Sequence, residues 1–392
     1  MSVTTLSTPP ADTPKKWLGG VKGKLPALSR FKIGPPGYLI IVFVLVAIVG
    51  SLVSPHFLTV RNLENIAVAA SVVAVLGVAQ FIVIVTRGID LSVGSVAALA
   101  TVIAAVLLQQ GHGFFIAIIV TITACALAGL INGILVVYAR IAPFVATLAM
   151  MSIARGVAFL VQVGTLIVIS DRTFLNIFGG STGAIPNVVI IALAVTLVAA
   201  FVMRYTSVGR RLYALGGNPE AARLSGLPVK RDQVMAYTTS GALAGLAGLM
   251  LAGRLSQGSS LVGQGYELDS IAAAVVGGTS LFGGTGDPIS TVLGALIIGM
   301  IGNIMNLAGI QSEPQMVILG IVILVAVFLT SGGGVQRIRA ALSKLRPKRN
   351  EVSDSTPGST SEDVPISRRP DLAEGVDSPG PNRQSTNTEG NP

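Results

Sequence analysis

The sequence MRYTSVGRRLYALGGNPEAARLSGLPVKRDQ at 203–233 is the one long polar interruption between otherwise apolar segments. It holds six basic and two acidic residues and contains a signal for the start of a helix. Asn218 can cap a helix that begins at Pro219, where proline is favoured, and Glu220 then lies in the first turn. The helix is predicted to stop near Gly226. We therefore predict a short helix within a basic loop.

Outside this loop the chain is strongly apolar. Of its 392 residues, 51% are hydrophobic and only 11% are charged, whereas charged residues make up about a quarter of a soluble domain. Only 12 of the 27 basic and 9 of the 18 acidic residues lie between 38 and 330. The chain is therefore predicted to be an integral membrane protein.

Helices of about 17 to 25 apolar residues are long enough to cross a bilayer. We identify ten candidate segments, of which the fifth contains Arg155 and the eighth is short and rich in glycine. For these two, a broken segment or a partial crossing is the alternative. The prediction is an all-α polytopic membrane fold with about ten transmembrane helices and broken or re-entrant segments. The ten segments are 38–54, 65–86, 93–109, 114–138, 144–163, 187–203, 234–253, 268–282, 288–307 and 314–330.

The distribution of basic residues predicts which side of the membrane each connection faces. Lysines and arginines precede the first segment, so the N-terminus is placed in the cytoplasm. Ten crossings return the C-terminus to the same side, together with the basic loop. The end of the chain is rich in Ser, Pro, Gly and acidic residues, a composition that cannot bury enough apolar surface to fold. The predicted parts are a cytoplasmic N-terminal tail at 1–37, the transmembrane domain at 38–330, a basic juxtamembrane segment at 331–350 and a disordered cytoplasmic tail at 351–392.

The sequence argues against several other classes of protein. The net charge of +9 does not indicate nucleic-acid binding, because the basic residues cluster at the ends of apolar runs. Gly278 and Gly283 have the spacing of a phosphate-binding loop, but Gly284 and Thr285 stand where that motif continues with its lysine. No Ser/His/Asp, Cys/His or H-E-x-x-H grouping is present. We therefore expect no nucleotide, metal or cofactor site and no catalytic residues.

Two segments break the apolar pattern in a similar way. They are VTRGIDLSVGSVAALA at 85–100 and VVGGTSLFGGTGDPISTVLGALIIG at 275–299. Each has an apolar run, a break of glycine and hydroxyl residues, and a new helix. Paired interruptions of this kind shape or gate a transport path in many membrane proteins. The alternative is a pair of tight turns in which Asp90 and Asp287 cap the new helices.

Polar residues inside the predicted helices are candidates for such a path. A charge at the bilayer centre costs about 2.5 to 3.5 kcal/mol on insertion scales, so Arg155 suggests a function by default. The alternative for Arg155 is structural, as an ion pair or a donor to backbone carbonyls. Uncharged polar side chains either line a sugar-sized passage or form interhelical hydrogen bonds worth about 1 kcal/mol each. The candidate path or gate residues are Gln80, Asp90, Ser92, Asn132, Thr147, Arg155, Thr279, Asn303 and Asn306.

The short helix in the basic loop also carries a recognisable motif. Glu220, Ala221 and Ala222, followed after three residues by Gly226, resemble the EAA motif of the permease subunits of bacterial ABC importers. In that family the short helix is the coupling helix, which fits into a cleft on the ATPase subunit. The resemblance implies that the ATPase-coupling loop comprises Gly217, Asn218, Pro219, Glu220, Ala221, Ala222, Gly226 and Leu227.

The resemblance extends over most of the membrane domain, from about Tyr38 to Thr330, and is to the ribose and xylose branch of the family. Two departures are visible. Arg87 stands where the family commonly has a second glycine, and Pro314 to Val317 stand where it has an aromatic-containing stretch. The matching stretches are RGIDLSVGS at 87–95, APFVATLAMMSIARG at 142–156, GGNPEAARLSGL at 216–227, SGALAGLAGLMLAGRL at 240–255 and GYELDSIAAAVVGGTSLFGGTG at 265–286.

Membership of that branch implies an importer built from several chains in the lipid bilayer of the bacterial inner membrane. It implies a type II importer fold, a second permease copy in a homodimer, cytoplasmic ATPase subunits and an extracytoplasmic substrate-binding protein. The expected function is import of a monosaccharide, a pentose such as ribose or xylose. A branched-chain amino acid, a nucleoside or an autoinducer is the alternative substrate. An ion-coupled secondary carrier and a non-transporting scaffold are the alternative functions.

Overall fold

The computed structural model describes residues 35–162 and 164–330, and this part of the chain is mainly helical. The predictions for residues before 35, for the basic segment at 331–350 and for the tail at 351–392 lie outside the described residues. We number the helices in chain order. They are α1 (Pro35–Val53), α2 (Val60–Val85), α3 (Val93–Gln109), α4 (Phe114–Val137), α5 (Pro143–Gln162), α6 (Arg172–Phe178), α7 (Asn187–Tyr205), α8 (Ser207–Gly217), α9 (Pro219–Leu224), α10 (Val229–Leu255), α11 (Tyr266–Val276), α12 (Pro288–Leu307) and α13 (Ser312–Thr330).

Six helices are long and apolar enough to span a membrane, namely α2, α4, α5, α7, α10 and α12. Shorter apolar helical stretches lie at Gly37–Val53, Val93–Gln109 and Glu313–Val322. The predicted helical, polytopic membrane fold is therefore confirmed, whereas the count of ten crossings stays a prediction. Helix α5 is continuous, so Arg155 does not break the fifth segment.

The eighth predicted segment differs most from the structure. It was expected at 268–282, but only Tyr266–Val276 is helical, which is 11 residues. A helix of that length measures about 16 Å, roughly half the thickness of a bilayer core. The helix ends at a run of glycines, of which Gly278 and Gly283 have φ angles of 87° and 81°, a conformation that suits glycine. The broken-segment alternative is the one observed.

The core is built around α2 and α10. Every residue of α2 from Ala70 to Val85 is buried. Helix α10 packs closely on α4, since a Cβ at Gly245 would lie 2.8 Å from the Cβ of Cys125, and small residues permit such approaches between membrane helices. Large apolar side chains are exposed on α1, α4, α5 and α7, as expected for surfaces that lipid or a partner covers.

Two short antiparallel ladders join connections between helices. In the first, β1 (Ile167–Val168) pairs with β4 (Gln257–Gly258) in the register Ile167 to Gly258. In the second, β2 (Ser181–Thr182) pairs with β3 (Ile185–Pro186). The first ladder ties the connection after α5 to the connection after α10, and so fixes the start of the turns that lead into α11.

Candidate functional site

Helix α9 has the cap and the ends that the sequence predicts. It begins at Pro219, and the Oδ1 of Asn218 accepts a hydrogen bond of 3.0 Å from the Ala221 N–H. Beyond its last residue, Gly226 has a φ of 77°. The Gly226 N–H donates to the Arg223 carbonyl (3.0 Å), and the Leu227 N–H donates to the Ala222 carbonyl (3.1 Å). Both ends of this short helix are therefore closed by local hydrogen bonds.

The solvent-exposed face of α9 has an apolar part and a charged part. Ala222 is buried against the protein, whereas the Leu224 side chain is 74% exposed. Glu220 and Arg223 form an exposed ion pair of 2.6 Å. The hydrogen bond from Arg223 and its positive charge lower the pKa of Glu220, so this carboxylate is ionised at neutral pH. An exposed leucine beside an ion pair is suited to docking into a groove of another protein.

Helix α8, which leads directly into α9, is fixed to the rest of the protein by the side chains of Arg211 and Tyr213. The Arg211 guanidinium donates two hydrogen bonds to the Asp232 carboxylate on α10, of 2.7 and 3.2 Å. The Tyr213 hydroxyl donates to the Gly286 carbonyl at 2.8 Å. Burial and the charge of Asp287 raise the pKa of Tyr213 to about 12, so its hydroxyl stays a donor. Helix α8 is therefore fixed both to α10 and to the loop that precedes α12.

Breaking the Arg211–Asp232 pair is expected to destabilise this scaffold. Asp232→Asn should lower the free energy of unfolding by about 2 kcal/mol, because removing one partner leaves the other charge uncompensated. That value is below the usual cost for a fully buried pair, since the Arg211 side chain is 20% exposed. A thiol-reactive dye that labels the buried Cys125 on heating measures unfolding in detergent. Glu220→Gln, in the exposed pair, is the control, and equal losses in both variants would contradict this assignment.

The two glycine-interrupted segments meet at the end of α8. The Gly284 N–H, from the loop before α12, donates to the Val85 carbonyl at the end of α2 at 2.9 Å. Arg87 donates from Nε to the Gly216 carbonyl (2.6 Å) and from Nη2 to the Gly217 carbonyl (2.7 Å). We call this meeting point of Val85, Arg87, Gly216, Gly217 and Gly284 the α8 crossing. Sequence reasoning did not bring these residues together.

Five of the nine candidate path residues lie in one buried polar cluster around the connection between α2 and α3. At its centre, the Asp90 Oδ1 accepts hydrogen bonds from the Ser92 N–H (3.0 Å) and hydroxyl (2.6 Å). Its Oδ2 accepts a hydrogen bond of 2.9 Å from the Ser240 hydroxyl on α10. Ser240 was missed in the sequence, where it stands unremarked at the start of a glycine-rich run. The Asp90 cluster comprises Gln80, Asp90, Ser92, Asn132, Thr147 and Ser240.

The other members fasten the same connection to neighbouring helices. With its amide oriented to satisfy both groups, Gln80 donates to the Asp90 carbonyl (2.9 Å) and accepts from the Asp90 N–H (3.2 Å). Asn132 on α4 donates to the Ser92 hydroxyl at 3.0 Å. The Thr147 hydroxyl on α5 lies 2.8 Å from the Pro143 carbonyl of its own helix and 3.3 Å from the Ile89 carbonyl, and its single proton is shared between them. All these side chains are buried. The cluster therefore links α2, α4, α5 and α10 as interhelical hydrogen bonds do, and a path role stays a prediction.

The predicted capping roles of the two aspartates have different outcomes. Asp287 caps α12, since its Oδ2 accepts a hydrogen bond of 2.9 Å from the Ser290 N–H. Asp90 does not cap α3, whose N-cap residue is Ser92 and has no side-chain capping hydrogen bond. Its carboxylate instead turns toward Ser92 and Ser240, because the connection enters the protein core at that point.

The remaining four candidates lie apart from the Asp90 cluster and from one another in their hydrogen bonding. Arg155 donates to the carbonyls of Ser260 (2.6 Å) and Val262 (2.7 Å), the structural arrangement foreseen as its alternative. It thereby holds the series of turns that precedes α11, in which the Ser260 N–H also donates to the Gln162 side chain at 2.7 Å. Thr279 is buried in the loop before α12. Asn303 exchanges two hydrogen bonds with Asn62. Asn306 is exposed and accepts a hydrogen bond of 2.9 Å from Gln315.

Known proteins resemble this chain along most of its length. The ribose import permease protein RbsC of Escherichia coli (strain K12) is 41% identical over 295 residues, which is 74% of this chain and 92% of that protein. RbsC of Bacillus subtilis (strain 168) is 41% identical over 305 residues, 76% of this chain and 92% of that protein. The D-allose transport system permease protein AlsC of Escherichia coli (strain K12) is 39% identical over 294 residues, 75% and 90% of the two chains. No solved structure matches the chain to a significant degree.

A family model covers the same region. The model described as branched-chain amino acid transport system / permease component matches residues 62–327. That range runs from the first turn of α2 to the last turn of α13 and includes α9 and the Asp90 cluster. The chain therefore belongs to this family of permeases, which are membrane transport components and not enzymes.

Proposed function

We propose that this chain is the membrane-spanning permease subunit of an ATP-binding-cassette importer that takes up a monosaccharide, a pentose such as ribose or xylose. The observation that carries the proposal is α9, a capped helix whose Leu224 side chain is exposed. The names of the relatives, a ribose import permease and a D-allose transport system permease, support the choice of substrate class. The energy for transport then comes from ATP hydrolysis on a separate chain.

In this proposal the ATPase subunit binds α9 on the cytoplasmic side of the membrane. An extracytoplasmic binding protein delivers the sugar on the opposite side. Closure of the ATPase displaces α9, and α8 carries the displacement to the α8 crossing. The finer features of the importer are proposals of the same kind. They are a type II fold with ten crossings per subunit, both termini in the cytoplasm, a homodimer of permeases and a place in the bacterial inner membrane.

Leu224→Asp is expected to weaken binding of the ATPase about tenfold, because it places a second carboxylate near Glu220 and removes an exposed apolar anchor. The measurement is co-purification and titration of the ATPase against the permease in detergent. Leu224→Met, which keeps the apolar volume, should bind as the unchanged chain does. Equal affinities for the aspartate and methionine variants would show that α9 is not the docking element.

Uptake by the complete importer in liposomes tests the substrate. The permease, its ATPase and its binding protein are reconstituted together, and labelled ribose, xylose and leucine are offered in separate experiments. Uptake of a pentose that depends on ATP is the expected result. Uptake of leucine instead would favour the amino-acid activity named in the family description. Pentose uptake by the permease alone in ion-loaded liposomes would contradict the proposal.

A further inference from the structure

Arg87 has an unusual backbone conformation. Its φ angle is 65°, and among the described residues only Arg140 and Ser256 are other non-glycine residues with positive φ. This left-handed conformation is unfavourable for a residue with a Cβ. A glycine would adopt the same backbone shape without strain. The Arg87 side chain, in addition, makes hydrogen bonds that a glycine cannot make.

Those contacts are at the C-terminal end of α8. The carbonyls of Gly216 and Gly217 belong to the last turn of that helix, where carbonyl groups lack partners within the helix. Arg87 donates a hydrogen bond to each, at 2.6 and 2.7 Å. Its positive charge also suits the negative end of the helix dipole. Because Asn218 follows directly as the N-cap of α9, Arg87 holds the joint between α8 and α9.

On its other side Arg87 belongs to the connection between α2 and α3, which the Asp90 cluster fastens to the core. The Ile89 carbonyl lies 3.3 Å from the Thr147 hydroxyl on α5, and Asp90 accepts a hydrogen bond from Ser240 on α10. Only one residue separates Arg87 from Ile89. A movement of the α8–α9 joint therefore reaches the hydrogen bonds of α5 and α10 through a few bonds of the chain.

The loop before α12 lies against the same arginine. A Cβ at Gly283 would lie 2.5 Å from the Cγ of Arg87, so the aliphatic part of the side chain packs directly on that glycine. Gly284 in turn is hydrogen bonded to Val85. The arginine, which belongs to the first glycine-interrupted segment, thus contacts both the second segment and the joint that leads into α9.

We infer that Arg87 is a positioning residue that couples the α8–α9 joint to the connection between α2 and α3. When the ATPase displaces α9, the two hydrogen bonds of Arg87 make that connection move with it. The inference rests on the proposed function, because it assigns α9 to the ATPase. It adds a specific mechanical link made by side-chain hydrogen bonds within this chain.

Arg87→Gly tests the link, since glycine keeps the left-handed backbone and removes both side-chain hydrogen bonds. The fully assembled importer in liposomes is assayed for ATP hydrolysis and for sugar uptake in parallel. We expect ATP hydrolysis within twofold of the unchanged importer and uptake per ATP lower by about tenfold, since two charge-assisted hydrogen bonds are lost. Arg87→Lys keeps the charge and a donor and should lose less. Should Arg87→Gly fail to assemble, Arg87→Asn decides, because asparagine tolerates the left-handed backbone but is uncharged and too short to replace both hydrogen bonds. Unchanged uptake per ATP in that variant would overturn the inference.

Arg140→Gly is the matched control. Arg140 also has a left-handed backbone, with a φ of 56°, and it is exposed. Its side chain makes no hydrogen bond or ion pair within the part of the chain that the structure describes. Unchanged uptake per ATP in Arg87→Gly, or an equal loss in Arg140→Gly, would overturn the inference. Leu224→Asp separates the two proposals: if it releases the ATPase while Arg87→Gly transports at full efficiency, only the role of Arg87 fails.

Discussion

Gly216→Ala is expected to destabilise the protein by about 3 kcal/mol or more and to abolish sugar uptake, because it overpacks a site without free space. An added Cβ would overlap the carbonyl oxygen of Val85 and the amide nitrogen of Gly284. Both are backbone atoms of the α8 crossing, so no flexible side chain can move aside. The midpoint of thermal unfolding, followed by labelling of Cys125, and uptake in liposomes measure the two effects.

Gly217→Ala provides a control at the adjacent position. A Cβ there would meet no atom within 4 Å, so the substitution should leave the midpoint of unfolding unchanged. The comparison concerns stability only, since Gly217 belongs to the predicted coupling loop. If the two variants unfolded at the same temperature, the backbone at the α8 crossing would have to be looser than the structure describes.

The features that were predictable from the sequence are those fixed by neighbours along the chain. Asn218, Pro219 and Gly226 lie within nine residues of one another, and each acts on α9 through local hydrogen bonds or local backbone angles. Asp287 caps α12 for the same reason. Such signals need no knowledge of the tertiary structure. The end of the eighth segment was harder to predict, because a run of small and glycine residues is compatible both with a packed helix and with an irregular loop.

The Asp90 cluster and the α8 crossing depend instead on how helices pair. In a soluble helix the apolar stripe tells which side faces the core, but membrane helices are apolar on every side. The sequence therefore indicates that Asn132 and Thr147 are polar residues in spans without indicating that they meet at one connection. Ser240 and Arg87 needed the structure for the same reason, since their partners Asp90 and Gly216 are distant in the chain.

Asp90→Ala is expected to destabilise the protein to a similar extent as Gly216→Ala. The Asp90 carboxylate accepts hydrogen bonds from the Ser92 N–H, the Ser92 hydroxyl and the Ser240 hydroxyl. Alanine would leave buried donors without an acceptor, and each unsatisfied group costs about 1 to 3 kcal/mol. We therefore expect a loss of roughly 3 to 5 kcal/mol in the free energy of unfolding. Thermal unfolding of the detergent-solubilised protein measures it, and an unchanged midpoint would contradict the hydrogen bonding described.

Asp90→Asn separates packing from charge at the same position. The amide oxygen of asparagine can accept both hydrogen bonds from Ser92, and its NH2 group can donate to the Ser240 hydroxyl, which is able to accept. If Asp90 serves to fasten the connection between α2 and α3, the asparagine variant should fold and transport nearly as the unchanged chain does. A folded asparagine variant that hydrolyses ATP but takes up no sugar would instead show that transport requires the carboxylate itself. That result would support the sequence-based prediction that Asp90 belongs to the transport path or its gate.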